Sequence, residues 1–219
     1  MNPIWDSLTE AEKQEIREQA SITCYKKNEV IHTDGQKPTH IMLLISGKVR
    51  IFKEGAGMRP QIIRLLKPGD AFSYRAIIAG GTYNASASAF EPCVVGKVPC
   101  GMFMHLLQTN PTFCYQVMLM MARDLAISEL QTVNLTQKHL RGRLAESLLT
   151  LLDNYGLDED GVTIGVYMSR EDLANMSNMT TANAIRTLSQ FAQDGLIAVD
   201  GRKIRILDEE EMRHISRVG

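Results

Sequence analysis

The side chains that could do chemistry fall into three groups. Four cysteines, Cys24, Cys93, Cys100 and Cys114, are scattered: none forms C-x-x-C, and the closest two have six residues between them. That spacing argues against a zinc ribbon, a thioredoxin motif and a secreted disulfide scaffold. The five histidines form no H-x-H or H-x-x-x-H, so the clustered ligands of a metalloenzyme are missing. There is no G-x-S-x-G, Walker loop or kinase signature, and an enzyme is the least supported class. The third group is cationic: Arg186, Arg202, Lys203 and Arg205 lie close together near the C-terminus.

The elements that position those cations can be read from their surroundings. Ser169-Arg170-Glu171-Asp172 opens a helix with a capping-box pattern, and Leu173 and Met176 give it an inner face. Ser177-Asn178-Met179 makes a short turn. Thr180 then caps a second helix with Ala184, Leu188 and Phe191 inward and Thr181, Asn183, Arg186 and Gln190 more exposed, and Gly195 stands where it should stop. Leu196 to Val199 and Arg202 to Ile206 flank Asp200-Gly201, a hairpin signal. Ile204 and Ile206 share one face of the second strand, Lys203 and Arg205 the other. Helix, turn, helix and basic hairpin describe a winged helix-turn-helix, whose second helix enters the major groove while the hairpin follows phosphate. A small helical subdomain with a hairpin lid would give the same pattern. The charge count keeps that alternative open, with 10 basic against 13 acidic residues from Lys138 onward. The acids gather in Asp158 to Asp160 and in Asp208 to Glu211.

Upstream the texture differs. Thr9-Glu10-Ala11-Glu12 reads as a capping box opening a short helix. From Ile22 to Val98, short apolar runs alternate with turns carrying Gly35, Gly47, Gly55, Gly57, Gly69, Gly80 and Gly81, as in an all-β barrel or jelly roll. From Thr112 to Leu140 there is neither glycine nor proline, about 40 Å of helix at 1.5 Å per residue. One stripe on it runs Leu119, Ala122, Ala126, Leu130, Val133, and a second runs Met118, Met121, Leu125. Two apolar faces suit one face on the domain and one on a partner helix, or a single wide face on one core. Leu140, Leu144, Leu148, Leu151, Leu152 and Tyr155 form a further core-facing helix that ends at Gly156.

Composition sets the outer limits. The 219 residues are 44% hydrophobic and 22% charged, which suits one or two globular domains and excludes wholesale disorder. The net charge of -1 gives no global sign of nucleic acid, so such a partner rests on local placement. No apolar run approaches the ~20 residues of a membrane span. The N-terminus has no signal-peptide pattern, and the expectation is a soluble cytoplasmic protein.

The order of parts resembles the cyclic AMP receptor protein/FNR family of bacterial transcription regulators. The residues carrying the resemblance are Gly47-Lys48-Val49, Lys67-Pro68-Gly69-Asp70, Met121-Ala122-Arg123, Gly142-Arg143-Leu144-Ala145 and, above all, Met168 to Ala174 running on to Arg186. The segment Met168 to Ile206 looks like the version common in Bacteroidetes-type members. The resemblance implies an α+β chain of two domains: a cyclic-nucleotide-binding-like β-roll (jelly roll), a long dimerisation helix and a C-terminal winged helix-turn-helix. The boundaries are 1–110, 111–138 and 139–219. It implies a homodimer on a two-fold-symmetric operator in double-stranded DNA, with RNA polymerase as a further partner if it activates.

The departures concern the effector. Cyclic-AMP-binding members carry Gly-Glu after the Gly-Asp turn and Arg-Ser about ten residues later, where this chain has Ser73-Tyr74 and Asn84-Ala85. A buried phosphate without its Arg is uncompensated, so the roll is expected to sense another, unidentified small molecule. Tyr74, Arg75, Tyr83 and Asn84 are its expected lining, with Ser128 at the position where the family's helix touches adenine. The iron–sulfur members need clustered N-terminal cysteines, and only Cys24 lies near. His32, His40, His105 and His139 are haem-ligand candidates by type, and Cys93 or Cys100 redox candidates. For each, an ordinary core or surface role is the plainer reading. No cofactor is therefore assigned. On the recognition helix only Arg186 matches the base-reading pattern; Thr181-Ala182 replace the Arg-Glu, so the operator should differ from the family's usual one. The expected DNA-binding set is Ser169, Thr180, Thr181, Ala182, Asn183, Arg186, Ser189, Gln190, Arg202 and Lys203. The expected dimer-helix set is Met118, Met121, Leu125, Leu130 and Val133. The alternative function is a ligand-binding or protein-interaction module whose winged helix docks a protein.

Overall fold

A computed structural model describes residues 3–55 and 59–219; Gly57, one of the turn glycines, lies outside the described residues. The chain divides into two compact units, 1–54 with 63–127 and 55–62 with 128–219.

In chain order, α1 (Pro3–Asp6) and α2 (Glu10–Gln19) precede β1 (Ser21–Tyr25), β2 (Val30–His32), β3 (His40–Ser46), β4 (Val49–Glu54), β5 (Pro60–Leu66) and β6 (Ala71–Phe72). Then come α3 (Tyr74–Ile78), β7 (Ser86–Ala89), β8 (Cys93–Pro99), α4 (Cys100–Thr109) and α5 (Pro111–Gln137). The strands make two four-stranded sheets, ordered β1-β8-β3-β6 and β2-β7-β4-β5. Period-two alternation turns Met42 and Leu44, Val49 and Ile51, and Cys93 and Val95 into one core. The register sets Val49 opposite Ala89 and Ile51 opposite Ala87, so large residues face small ones. Gly47 makes the β3–β4 turn at φ +80, and a Cβ there would lie 2.2 Å from the Pro92 carbonyl oxygen.

A second core lies under the helices. The Thr9 capping box forms as expected, with its hydroxyl accepting from the Glu12 N–H. Asn110 Oδ1 accepts from the Phe113 N–H at 2.9 Å at the start of α5, while its amide donates to Glu12 Oε2 at 2.9 Å. Phe103 of α4 and Phe113 of α5 meet edge to face at 5.9 Å. Phe113 and Val117 are buried, and Met120 and Met121 are half-buried against this core. Met121 thus differs from its expected place beside Met118 and Leu125: at 3.6 residues per turn it falls one turn after Val117, on the face α5 turns to its own domain.

The second unit contains α6 (Leu140–Tyr155), α7 (Arg170–Met176), α8 (Thr181–Gln193), β9 (Ile197–Asp200), β10 (Lys203–Ile206) and α9 (Glu209–Val218). α6 buries Leu144, Leu148 and Leu151, and α9 buries Met212 and Ile215. The acidic run after Leu207 is the start of α9. Asp208 accepts from the Glu211 N–H, and Glu209 to Glu211 occupy the first turn, where the helix dipole favours negative charge. The hairpin also shifts by one residue from expectation. Asp200 pairs with Lys203, leaving Gly201-Arg202 as the two-residue loop. Gly201, at φ +55, takes the first central position, where the left-handed region is needed. No helix among the described residues is long and apolar enough to cross a membrane.

Candidate nucleic-acid interface and effector cleft

The helix-turn-helix is fixed by local hydrogen bonds. Ser169 Oγ accepts from the Asp172 N–H at 3.0 Å and donates to Asp172 Oδ2 at 2.6 Å. Asn178, at φ +50, makes the turn, and Thr180 Oγ1 accepts from the Asn183 N–H at 3.2 Å. These hydroxyls start α7 and α8. α8 buries Ala184, Thr187, Leu188 and Phe191, which leaves Thr181, Ala182, Arg186, Ser189 and Gln190 exposed and Asn183 half-buried. Ser189 Oγ donates to the Ile185 carbonyl at 3.0 Å. Ile185 shares the exposed face, although an aliphatic residue at that spacing reads as core.

Around this helix the cations divide. Arg141 Nη2 donates to Asp194 Oδ2 at 2.6 Å, and its guanidinium lies 4.8 Å over the Phe191 ring, holding α6 to the end of α8. Arg170 Nη2 donates to the Gly201 carbonyl at 2.7 Å and ties the hairpin loop to the first residue of α7. By contrast, among the described residues Arg186, Arg202 and Arg205 are exposed and make no ion pair. Lys203 Nζ lies 5.6 Å over the Tyr167 ring, whose hydroxyl donates to Asp158. Arg141 and Arg170 carried no sequence signal, since their partners are 53 and 31 residues away.

In the first unit a cleft gathers Tyr74, Arg75, Tyr83 and Asn84 as expected, together with His32, Arg64 and Ser73. Its free volume is about 40 Å³, room for a few heavy atoms. Ser128 does not line it; this residue is exposed on α5, in the second unit. Ser73, where cyclic-AMP-binding members carry glycine, adopts φ +74. The Tyr74 hydroxyl donates to Asp124 of α5, and Arg64 Nη1 donates to Asp124 Oδ2 at 2.7 Å. Burial, then the Asp124 carboxylate, pushes the Tyr74 phenol up to about 12. Burial is the strongest single influence on Arg64 and opposes its charge, but Asp124, Tyr74 and Asp70 together outweigh it and hold the guanidinium above its ordinary value. The buried His32 ring stacks on Tyr83 at 3.8 Å and is brought down to about 4 by burial. Its Nδ1 has no hydrogen-bond partner among the described residues. Burial raises the thiols of Cys93 and Cys100, the reverse of what a reactive redox cysteine needs.

On α5, Met118 and Leu125 of one expected stripe and Leu130 and Val133 of the other are 46–61% exposed.

A β-roll joined to a winged helix-turn-helix defines a two-domain transcription-regulator class. Residues 22–110 match the cyclic nucleotide-binding domain family and residues 142–215 the Crp-like helix-turn-helix domain family. The chain is 22% identical over 194 residues to the CRP-like cAMP-activated global transcriptional regulator of Mycobacterium tuberculosis, covering 88% of this chain and 87% of that one. It is 24% identical over 206 residues to the transcriptional activatory protein AadR of Rhodopseudomonas palustris, covering 94% and 85%. The structure of FixK2 from Bradyrhizobium japonicum superposes with a TM-score of 0.80 at 23% identity, covering 90% and 96%. The chain belongs to the CRP/FNR family of regulators.

Proposed function

We propose that the protein is a cytoplasmic, homodimeric, sequence-specific DNA-binding transcription regulator with no enzymatic activity, whose β-roll responds to an effector other than cyclic AMP. The observation that carries the DNA reading is α8: one face is buried, and the opposite face presents Thr181, Ala182, Arg186 and Gln190, with Arg186 in no ion pair among the described residues. Arg186 is the base reader, because its planar fork matches guanine N7 and O6. Ala182 suits a thymine methyl, and Asn183 a base edge or phosphate. Arg202 and Lys203 anchor phosphate, while Ser169 and Thr180 serve chiefly by setting the helix starts. The exposed apolar residues of α5 form the dimer face, which matches the operator's two-fold symmetry. Tyr74 stands where a ribose-binding Glu would be and is buried on Asp124, which supports the exclusion of cyclic AMP. RNA polymerase is the further partner if the protein activates.

The test is selection of bound DNA from a random pool by the full-length protein, with and without cell extract. The expected result is one enriched motif of two inverted half-sites, centres about 10 base pairs or a multiple apart. A pool that stays random, with binding indifferent to salt, overturns the DNA reading and leaves a protein-docking module.

A further inference from the structure

We propose that the β-roll cleft takes a small oxyanion, held by Arg75 and Arg64 with His32 against it, and that this anion competes with Asp124 of α5 for the Arg64 guanidinium. The proposal rests on the reading of the roll as the sensing half and names the chemistry it senses.

The lining sets the sign of the ligand. Its polar and charged side chains are His32, Arg64, Ser73, Tyr74, Arg75, Tyr83 and Asn84, and none is a carboxylate. Each has a group able to donate a hydrogen bond, whereas the two arginines have no acceptor at all. Such a lining suits an acceptor-rich ligand and disfavours a cation.

The second observation is an unmet need. His32 is 6% exposed, and its Nδ1 has no hydrogen-bond partner among the described residues. A buried unsatisfied nitrogen is costly to leave unmade. Stacking on Tyr83 confines the ring, and burial keeps it neutral near pH 7. It therefore offers a hydrogen bond in the tautomer the ligand selects, without a charge of its own.

The third is the division of the arginines. Arg75 is exposed and has no ion pair among the described residues. Arg64 gives Nη1 to Asp124, the carboxylate that also accepts from Tyr74. An anion in the cleft meets Arg75 unopposed and must share or take Arg64, which loosens the tie between β5 and α5. The cleft has room for an inorganic oxyanion or a short organic acid.

The experiment titrates the full-length protein with inorganic phosphate, nitrate, acetate, pyruvate and succinate, with acetamide as the neutral counterpart of acetate. Calorimetry gives the affinity, and NMR follows the His32 ring. At least one anion is expected to bind saturably and shift the His32 ring, with acetamide silent; which anions bind separates inorganic from organic sources. Arg75→Gln, at an exposed position that leaves the fold intact, should weaken that probe by about tenfold, the loss of one charge-assisted hydrogen bond. Asp124→Asn should tighten it several-fold by releasing Arg64. No saturable anion binding, an unmoved His32 ring, or an unchanged affinity in Arg75→Gln overturns the proposal. If the selected operator is still bound in that case, the regulator reading stands without it. A chain that binds the anion but selects no operator refutes the regulator reading alone.

Discussion

Arg186 and Arg202 are both exposed cations, but their backbones differ in stiffness. Arg186 rides a helix whose opposite face is packed through Ala184, Leu188 and Phe191, so its fork has a fixed origin. Arg202 sits in a two-residue loop held by Arg170. Readout requires the first kind of placement, while attraction to phosphate tolerates the second. Arg186→Ala should cost about 1–3 kcal/mol on the selected operator and relax preference at one guanine per half-site. Arg202→Ala or Lys203→Ala should weaken all sequences alike and flatten the salt slope by about one unit per protomer. Binding to operator and scrambled DNA across salt concentrations checks both, and equal loss of both DNAs in Arg186→Ala reverses the roles. His32 carries a second residue-scale prediction. Its pKa falls from 6.5 to about 4 on folding, so between those values the unfolded chain binds a proton that the folded chain refuses. Its contribution is present above pH 6.5 and is lost as pH falls toward 4, by about 3 kcal/mol at most. Arg64, in the same cleft, is held above its ordinary value and stays charged across that window. Denaturant midpoints of the wild type should therefore drop more steeply than those of His32→Phe from pH 7 to pH 4.5. Parallel profiles would remove His32 from the account.

At the scale of elements, the β3–β4 turn is the tightest point of the roll. Gly47→Ala puts a Cβ 2.2 Å from the Pro92 carbonyl oxygen and 2.7 Å from Cys93 Cβ, at a φ of +80. Left-handed backbone for an L-residue and overpacking each cost on the order of 1–2 kcal/mol or more. The roll should lose about 2 kcal/mol or more in denaturant unfolding, whereas alanine at Gly35, which has open space around it, pays only the backbone term. Elements that announce themselves locally were legible in the sequence. The Thr9 and Ser169 boxes, the Thr180 cap and the helix ends at Gly156 and Gly195 all lie within a few residues of the structure they specify. α4 was not legible: it follows β8 directly, starts at Cys100-Gly101 and has no side-chain cap, so only packing of Met102, Phe103 and Leu106 marks it. α9 was masked by its own acids, whose meaning as a dipole-matched first turn depends on Asp208 as cap. The cleft was half legible. Tyr74, Arg75, Tyr83 and Asn84 cluster in sequence, but His32 and Arg64 arrive from other strands, and Asp124 lies 60 residues from Arg64. No local pattern encodes such pairs.

For the whole molecule, a net charge of -1 means that attraction to DNA cannot come from the chain as a uniform body. On the proposed reading it comes from where the charges sit, and from two copies of that placement paired through α5. Phe113, Val117 and the half-buried Met121 secure it to its own domain, while Met118, Leu125, Leu130 and Val133 remain 46–61% exposed. Apolar exposure of that extent on a 27-residue helix suits a partner helix better than water. The expected outcome is a dimer in sedimentation at micromolar concentration. Leu130→Asp would bring two like charges together near the two-fold axis without touching the residues that hold α5 to its domain, so it should yield folded monomers. Each monomer keeps Arg186 and its wing but loses the second half-site, and with it the gain from a linked second binding event. Operator affinity should fall by roughly 100-fold or more, while binding to an isolated half-site should change little. A wild-type protein that sediments as a monomer, or a Leu130→Asp variant that remains a dimer with full operator affinity, would place the pairing surface elsewhere.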